Sequence, residues 1–145
     1  MIKNLTILLL AVSSISQAQT VLLDEGFTSG IPATWSIFNE DGLTPATEVE
    51  DFTDAWIGKT YGSDTAAAST SFYSPTGQAN DYLVTPQISI DNFSRLIWSA
   101  RSVDASYPDG YQVLISTTGN LPENFTDTLL TVGVETAYMS ARTIE

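Results

Sequence analysis

The sequence has no cysteine and no histidine. Without cysteine no disulfide can brace the fold, so stability must come from burial, with bound metal ions as the available supplement. Without histidine the Ser-His-Asp and Cys-His arrangements fall away, together with His-ligated zinc. Basic residues are scarce too: 5 lysines and arginines stand against 17 acids, for a formal net charge of −12. Such a surface repels phosphate backbones, which argues against a nucleic-acid partner, and it suits cations. No segment is apolar for long enough to span a bilayer, and no long segment carries the 3.6-residue apolar period of an amphipathic helix.

What is present begins with a leader. Lys3 precedes an apolar run from Leu5 to Val12, and Ser16-Gln17-Ala18 puts small residues two apart. This pattern reads as a signal peptide over residues 1–18, cleaved before Gln19. The expectation is a secreted or cell-surface protein whose mature domain covers 19–145. Lys59, Arg95, Arg101 and Arg142 are then the remaining cations, against all 17 acids.

Short β-type runs follow, separated by turn clusters. Thr34–Phe38 closes on Asn39-Glu-Asp-Gly42, and Ala55–Tyr61 closes on Gly62-Ser-Asp64. Ala66–Tyr73 ends at Ser74-Pro-Thr-Gly77. Tyr82–Ile90 alternates apolar and polar residues but carries Pro86, which cannot donate to a ladder. The chain is therefore expected to pair over 82–85, bend at Pro86 and continue as Gln87–Ile90. In Arg95–Arg101 the residues Leu96, Trp98 and Ala100 share one face, and in Tyr111–Ser116 so do Tyr111, Val113 and Ile115. Pro108-Asp109-Gly110 between them is a strong turn signal. Many short strands with regular punctuation mean an all-β sandwich or barrel. Ala141–Glu145 reads as the start of a further strand, so the domain is expected to be truncated at its C-terminus.

Two catalytic routes survive the missing residue types: a carboxylate pair and a Ser–Lys dyad. No acid spacing singles out a pair. Ser63 lies four residues from Lys59, but no third orienting group accompanies them. The chain is read as non-enzymatic. Sugar recognition would use exposed aromatics, for which Trp56, Tyr61, Tyr107 and Tyr111 are candidates. Tyr107 is the favoured ligand-binding residue because it sits in the loop Ala105–Gly110. Trp35, Tyr82 and Trp98 fall on apolar faces and are expected in the core.

Three stretches carry a family likeness: Gly30-Ile-Pro-Ala-Thr-Trp-Ser36, Ser69–Ile88 with its Asp81-Tyr-Leu-Val-Thr-Pro86, and Ser106-Tyr-Pro-Asp-Gly–Gly119. The chain resembles the cleaved-adhesin family, also called choice-of-anchor J domains, over about Leu22 to Glu145. These are modules of secreted and surface proteins of Bacteroidetes-type bacteria, including the adhesin regions of gingipains. The resemblance implies a jelly-roll β-sandwich, non-catalytic, acting as an adhesin or binding module of a larger bacterial protein. The alternative it leaves open is an accessory substrate-binding domain attached to a secreted peptidase or glycosidase. The implied partners are an extracellular protein, a glycan or neighbouring domains of the same polypeptide. It also implies structural calcium, with Asp24, Glu25 and Asp81 as candidate oxygen ligands. The acids that flank the phenylalanine in relatives are here Gly26 and Thr28 around Phe27. Calcium needs about six to eight oxygens, so a weak site is expected.

Overall fold

The computed structural model describes residues 19–145; the expected signal peptide lies outside the described residues. Among them are eight strands: β1 Ser36–Asn39, β2 Ile57–Tyr61, β3 Asp64–Ala68, β4 Asp81–Val84, β5 Leu96–Ala100, β6 Tyr111–Ile115, β7 Asp127–Val132 and β8 Ser140–Ile144. Two single-turn 3-10 helices, Thr47–Val49 and Pro122–Asn124, interrupt the loops. The protein is all-β, as the punctuated short runs require. No helix among the described residues is long and apolar enough to cross a membrane.

All strand pairing is antiparallel. β2 and β3 form a hairpin, and β1 pairs with β4 around it. The same nesting recurs in the second half, where β6 and β7 form the inner pair and β5 joins β8 around them. In chain order the two halves thus repeat one plan, an inner pair bracketed by a longer-range pair, each a separate two-stranded sheet among the described residues. Gly62, with φ +69°, supplies the left-handed residue that the tight β2–β3 turn needs.

Several boundaries differ from the sequence expectation for physical reasons. The β4 ladder ends at Val84, and residues 85–91 join no strand ladder. Pro86 removes a ladder donor, and the stretch Gln87–Ile90 does not resume as a strand. Asp64 was expected in a turn but opens β3 opposite Tyr61. β7 escapes period-two reading because Leu129 and Leu130 are adjacent. The register explains this: Val113 pairs with Leu130 and Leu114 with Thr128, so Leu129 is the extra residue of a bulge.

The core is small. Ala46, Phe52, Ala55, Tyr73, Val84 and Val132 are buried, and Glu135 is the one buried charged residue among those described. Phe52 and Ala55 come from the segment between the first 3-10 helix and β2, and line one cavity with Tyr73. The expected core aromatics Trp35, Tyr82 and Trp98 are half-buried. Trp35 meets Phe27 edge to face at 5.1 Å, and Tyr82 lies tilted 6.4 Å from Phe125. On β5 the expected alternation holds for Trp98 and Ala100, while Leu96 is exposed with Ile97.

Candidate functional site

The second half of the domain is organised around Glu135. Its two oxygens take a bidentate contact from Arg142, Nε to Oε2 at 2.9 Å and Nη2 to Oε1 at 2.7 Å. The backbone N–H of Thr136 also donates to Oε1 at 2.7 Å. The Tyr111 hydroxyl donates to Oε2 at 3.1 Å and accepts from Trp98 Nε1 at 3.0 Å. One carboxylate therefore links β5, β6 and β8 to the segment after β7. A buried charge persists only when it is paired and hydrogen-bonded. The bidentate guanidinium accordingly draws the Glu135 pKa down to about 2, against the opposing effect of burial. Burial pushes the Tyr111 phenol up. Sequence reading missed this network. Its one legible signal was Tyr111 in phase with Val113 and Ile115; the acid lies in an irregular segment without a pattern.

Above this network two connecting loops run side by side, residues 101–110 and 133–139. The Ser102 N–H donates to the Thr136 carbonyl at 2.7 Å, and the Glu135 N–H to the Asp109 carbonyl at 2.8 Å. Gly110 lies so close to the carbonyls of Val132 and Gly133 that a side-chain carbon there would collide with both. Tyr107 stands on this rim and is fully solvent-facing. Of the four aromatics considered for recognition it alone is exposed: Trp56, Tyr61 and Tyr111 are half-buried. Tyr138, which sequence reading did not single out, is exposed on the neighbouring loop.

The candidate calcium ligands lie in different settings. Glu25 Oε1 accepts the backbone N–H of Phe27 at 2.5 Å. This bond accompanies the left-handed φ of 55° at Phe27 and turns its ring toward Trp35. Asp24 is exposed nearby. Asp81 opens β4 opposite Asn39 and accepts from the Tyr73 hydroxyl at 2.8 Å through Oδ2. Its other oxygen, Oδ1, is buried without a hydrogen-bond partner. It borders a cavity of about 150 Å³ whose polar lining includes Asn39, Asp54, Thr70 and Tyr73. Burial there raises the Asp81 pKa, and burial with the Asp81 contact raises that of Tyr73. Among the described residues no group of three or more carboxylates comes together to hold a metal ion. The described residues thus fall short of a closed calcium cage, which takes about six to eight oxygens.

The Ser–Lys dyad is not assembled. Lys59 Nζ pairs with Asp51 at 2.5 Å and lies 4.1 Å from the centre of the Phe52 ring. The Ser63 hydroxyl points to Asp64 Oδ1 at 3.3 Å. Each partner of the Ser–Lys pair is thus engaged elsewhere.

Comparison with known proteins agrees with this architecture. The chain is 34% identical over 120 residues to Hemagglutinin A of Porphyromonas gingivalis, covering 77% of this chain and 4% of that one. It is 30% identical over 116 residues to Lys-gingipain of the same species, covering 77% of this chain and 6% of the relative. The chain therefore spans a small part of the curated relatives it matches. Among solved structures, the K3 cleaved adhesin domain of Lys-gingipain from Porphyromonas gingivalis W83 superposes with a TM-score of 0.64 at 28% identity, over 85% of this chain and 79% of that one. The K1 domain of the same protein does so with a TM-score of 0.58 at 28% identity. The family model of the Cleaved Adhesin Domain matches residues 20–144, and the chain belongs to that family.

Proposed function

We propose that the chain is a non-catalytic adhesin module of a secreted or cell-surface protein, which holds an extracellular protein or glycan. The observation that carries this reading is the rim of loops 101–110 and 133–139. There Tyr107 and Tyr138 face solvent above a locked Glu135–Arg142 pair. Rigid loops with exposed tyrosines are the composition of a binding surface. The two acids with shifted pKa values are each held by a hydrogen bond, Asp81 by Tyr73 and Glu135 by Arg142. That supports binding over turnover. Structural calcium is the second part of the reading, supported by the unpartnered Asp81 Oδ1 beside its polar cavity.

The accessory-domain alternative draws support from the match to 6% of Lys-gingipain, in which a module of this kind adjoins much other chain. One experiment addresses the adhesin reading. Beads carrying the chain are tested for capture on immobilised extracellular proteins and on neutral glycans, with parallel assays for peptidase and glycosidase turnover. Capture without turnover is expected. Turnover by the purified chain, or capture no better than bare beads on every surface, would overturn the reading.

A further inference from the structure

The rim carries more than its two tyrosines. Val103 and Tyr107 from one loop and Val134, Tyr138 and Met139 from the other are all exposed, with Tyr107 at 80% and Tyr138 at 83%. The loops that bear them are held together. Ladder pairs flank them at Ala100–Ser140 and Tyr111–Val132, and the Ser102–Thr136 and Asp109–Glu135 backbone bonds tie them between. A grouping of large apolar side chains left in water on braced loops marks an interaction surface.

The chemistry of the rim selects the partner. A sugar calls for flat rings with hydrogen-bonding groups beside them, yet three of the five side chains are aliphatic or thioether. Tyrosine and methionine beside aliphatic groups are the composition of a protein interface. Asp104 and Asp109 are exposed on the same loop. Arg101, the neighbouring cation, lies 5.7 Å from the Tyr61 ring. The whole chain carries a formal charge of −12, which repels a second copy and draws in a cation. Exposed phenol rings accept ammonium and guanidinium groups on their faces. We propose that this rim docks a lysine- or arginine-rich segment of an extracellular protein, with the tyrosines taking the basic side chains and Asp104 and Asp109 steering them. The inference rests on the adhesin reading and names the partner class for it.

The test uses a fluorescein-labelled synthetic peptide of interleaved lysines and leucines, its lysine-acetylated twin, and fluorescence anisotropy at low and high salt. Three proteins are compared: the chain, Tyr107→Ala/Tyr138→Ala, and Phe93→Ala. Phe93 is an exposed aromatic at the opposite end of β5. The double variant keeps the net charge, so it separates the rim from general attraction. It is expected to weaken peptide binding by about tenfold or more, as loss of paired aromatic anchors does. Phe93→Ala should leave binding unchanged, and acetylation or high salt should weaken it strongly. Equal binding by the double variant, equal binding of the acetylated peptide, or no binding by the chain would overturn the inference. The bead assay keeps the two readings apart. Beads carrying the double variant that are still captured would leave the adhesin reading standing on another surface while removing the rim. Capture by neutral glycans that is lost in the double variant, with no peptide binding, would replace the cationic partner with a sugar. Both tyrosines are exposed, so an unchanged melting curve is expected and checks that the double variant is folded.

Discussion

Arg142 on β8 grips Glu135 through both of its oxygens, at 2.9 and 2.7 Å, and so ties the last strand to the segment that follows β7. The pair joins the β5–β8 sheet to the β6–β7 sheet. Tyr111 and Trp98 extend it across two further strands. A domain without disulfides and with a small apolar core depends on such cross-links for a single arrangement.

The first prediction is a pH dependence. The carboxyl of Glu135 has its pKa drawn down to about 2 in the folded state, below its usual 4.5. A group depressed on folding contributes stability that is fully present above its unfolded pKa and is lost as pH falls through the folded one. Melting temperature should therefore decline between about pH 5 and pH 2, a range set by that linkage. Glu135→Gln should melt several degrees lower at neutral pH and show a shallower decline across the window. Thermal melts at a series of pH values check this. Parallel curves for the two proteins would mean that Glu135 does not govern the acid limb.

The second prediction concerns Trp98. It is half-buried, and its Nε1–H donates to Tyr111. Trp98→Phe keeps most of the ring and removes the hydrogen bond, at a cost of about 1 kcal/mol. Trp98→Ala also removes the packing. It should cost about 2–3 kcal/mol, below the range for a fully buried aromatic. Urea unfolding of both variants distinguishes the two contributions. Equal losses would show that the ring contributes nothing beyond its N–H.

Much of the fold was legible in the sequence where the chain alternates cleanly. β5 and β6 fall within one residue of their expected ends, because Leu96–Ala100 and Tyr111–Ile115 present a two-sided surface with turn residues on either flank. β7 was hidden by its bulge at Leu129, which breaks the period. The exposure of Tyr107 was legible from its turn-rich loop, since a Pro-Asp-Gly segment keeps a nearby ring out of the core. Tyr138 was not, because Val134–Met139 has no turn signature. Glu135 could not be read at all. An acid becomes a buried cross-link only when the topology brings Arg142 and Tyr111 to it, and that meeting has no local pattern.

The third prediction concerns Gly110. A methyl group there would meet the carbonyls of Val132 and Gly133, and both are backbone atoms with little room to yield. Gly110→Ala should push the 101–110 loop away from the 133–139 loop and strain the Asp109–Glu135 backbone bond. We expect destabilisation of about 1–3 kcal/mol, the range of overpacking, with weaker peptide binding at the rim. Urea unfolding and anisotropy measure the two effects. Wild-type stability would show that the two loops are free to separate.

The last prediction concerns calcium and Asp81. Burial raises the pKa of this carboxyl, the reverse of the Glu135 case. A carboxyl raised on folding subtracts stability as pH climbs through the unfolded and then the folded pKa, so at neutral pH Asp81 opposes folding. The reason is local: the carboxyl is buried and stands near the charges of Asp41 and Asp54, while Tyr73 holds Oδ2. A cation resting against Oδ1 would offset that cost. Few preformed oxygens surround it, so affinity should fall near the millimolar range of extracellular modules. A ligand that binds only the folded state stabilises it by about 1.4 kcal/mol at ten times its Kd. The chain should therefore melt higher in excess calcium than in chelator. Asp81→Asn keeps an oxygen for Tyr73 and removes the buried charge, so it should melt at or above the wild type in chelator and gain nothing from calcium. Thermal melts of both proteins under both conditions decide the matter. A calcium gain that survives in Asp81→Asn would move the ion to Asp24 and Glu25 or elsewhere, and identical wild-type curves would remove calcium from the fold.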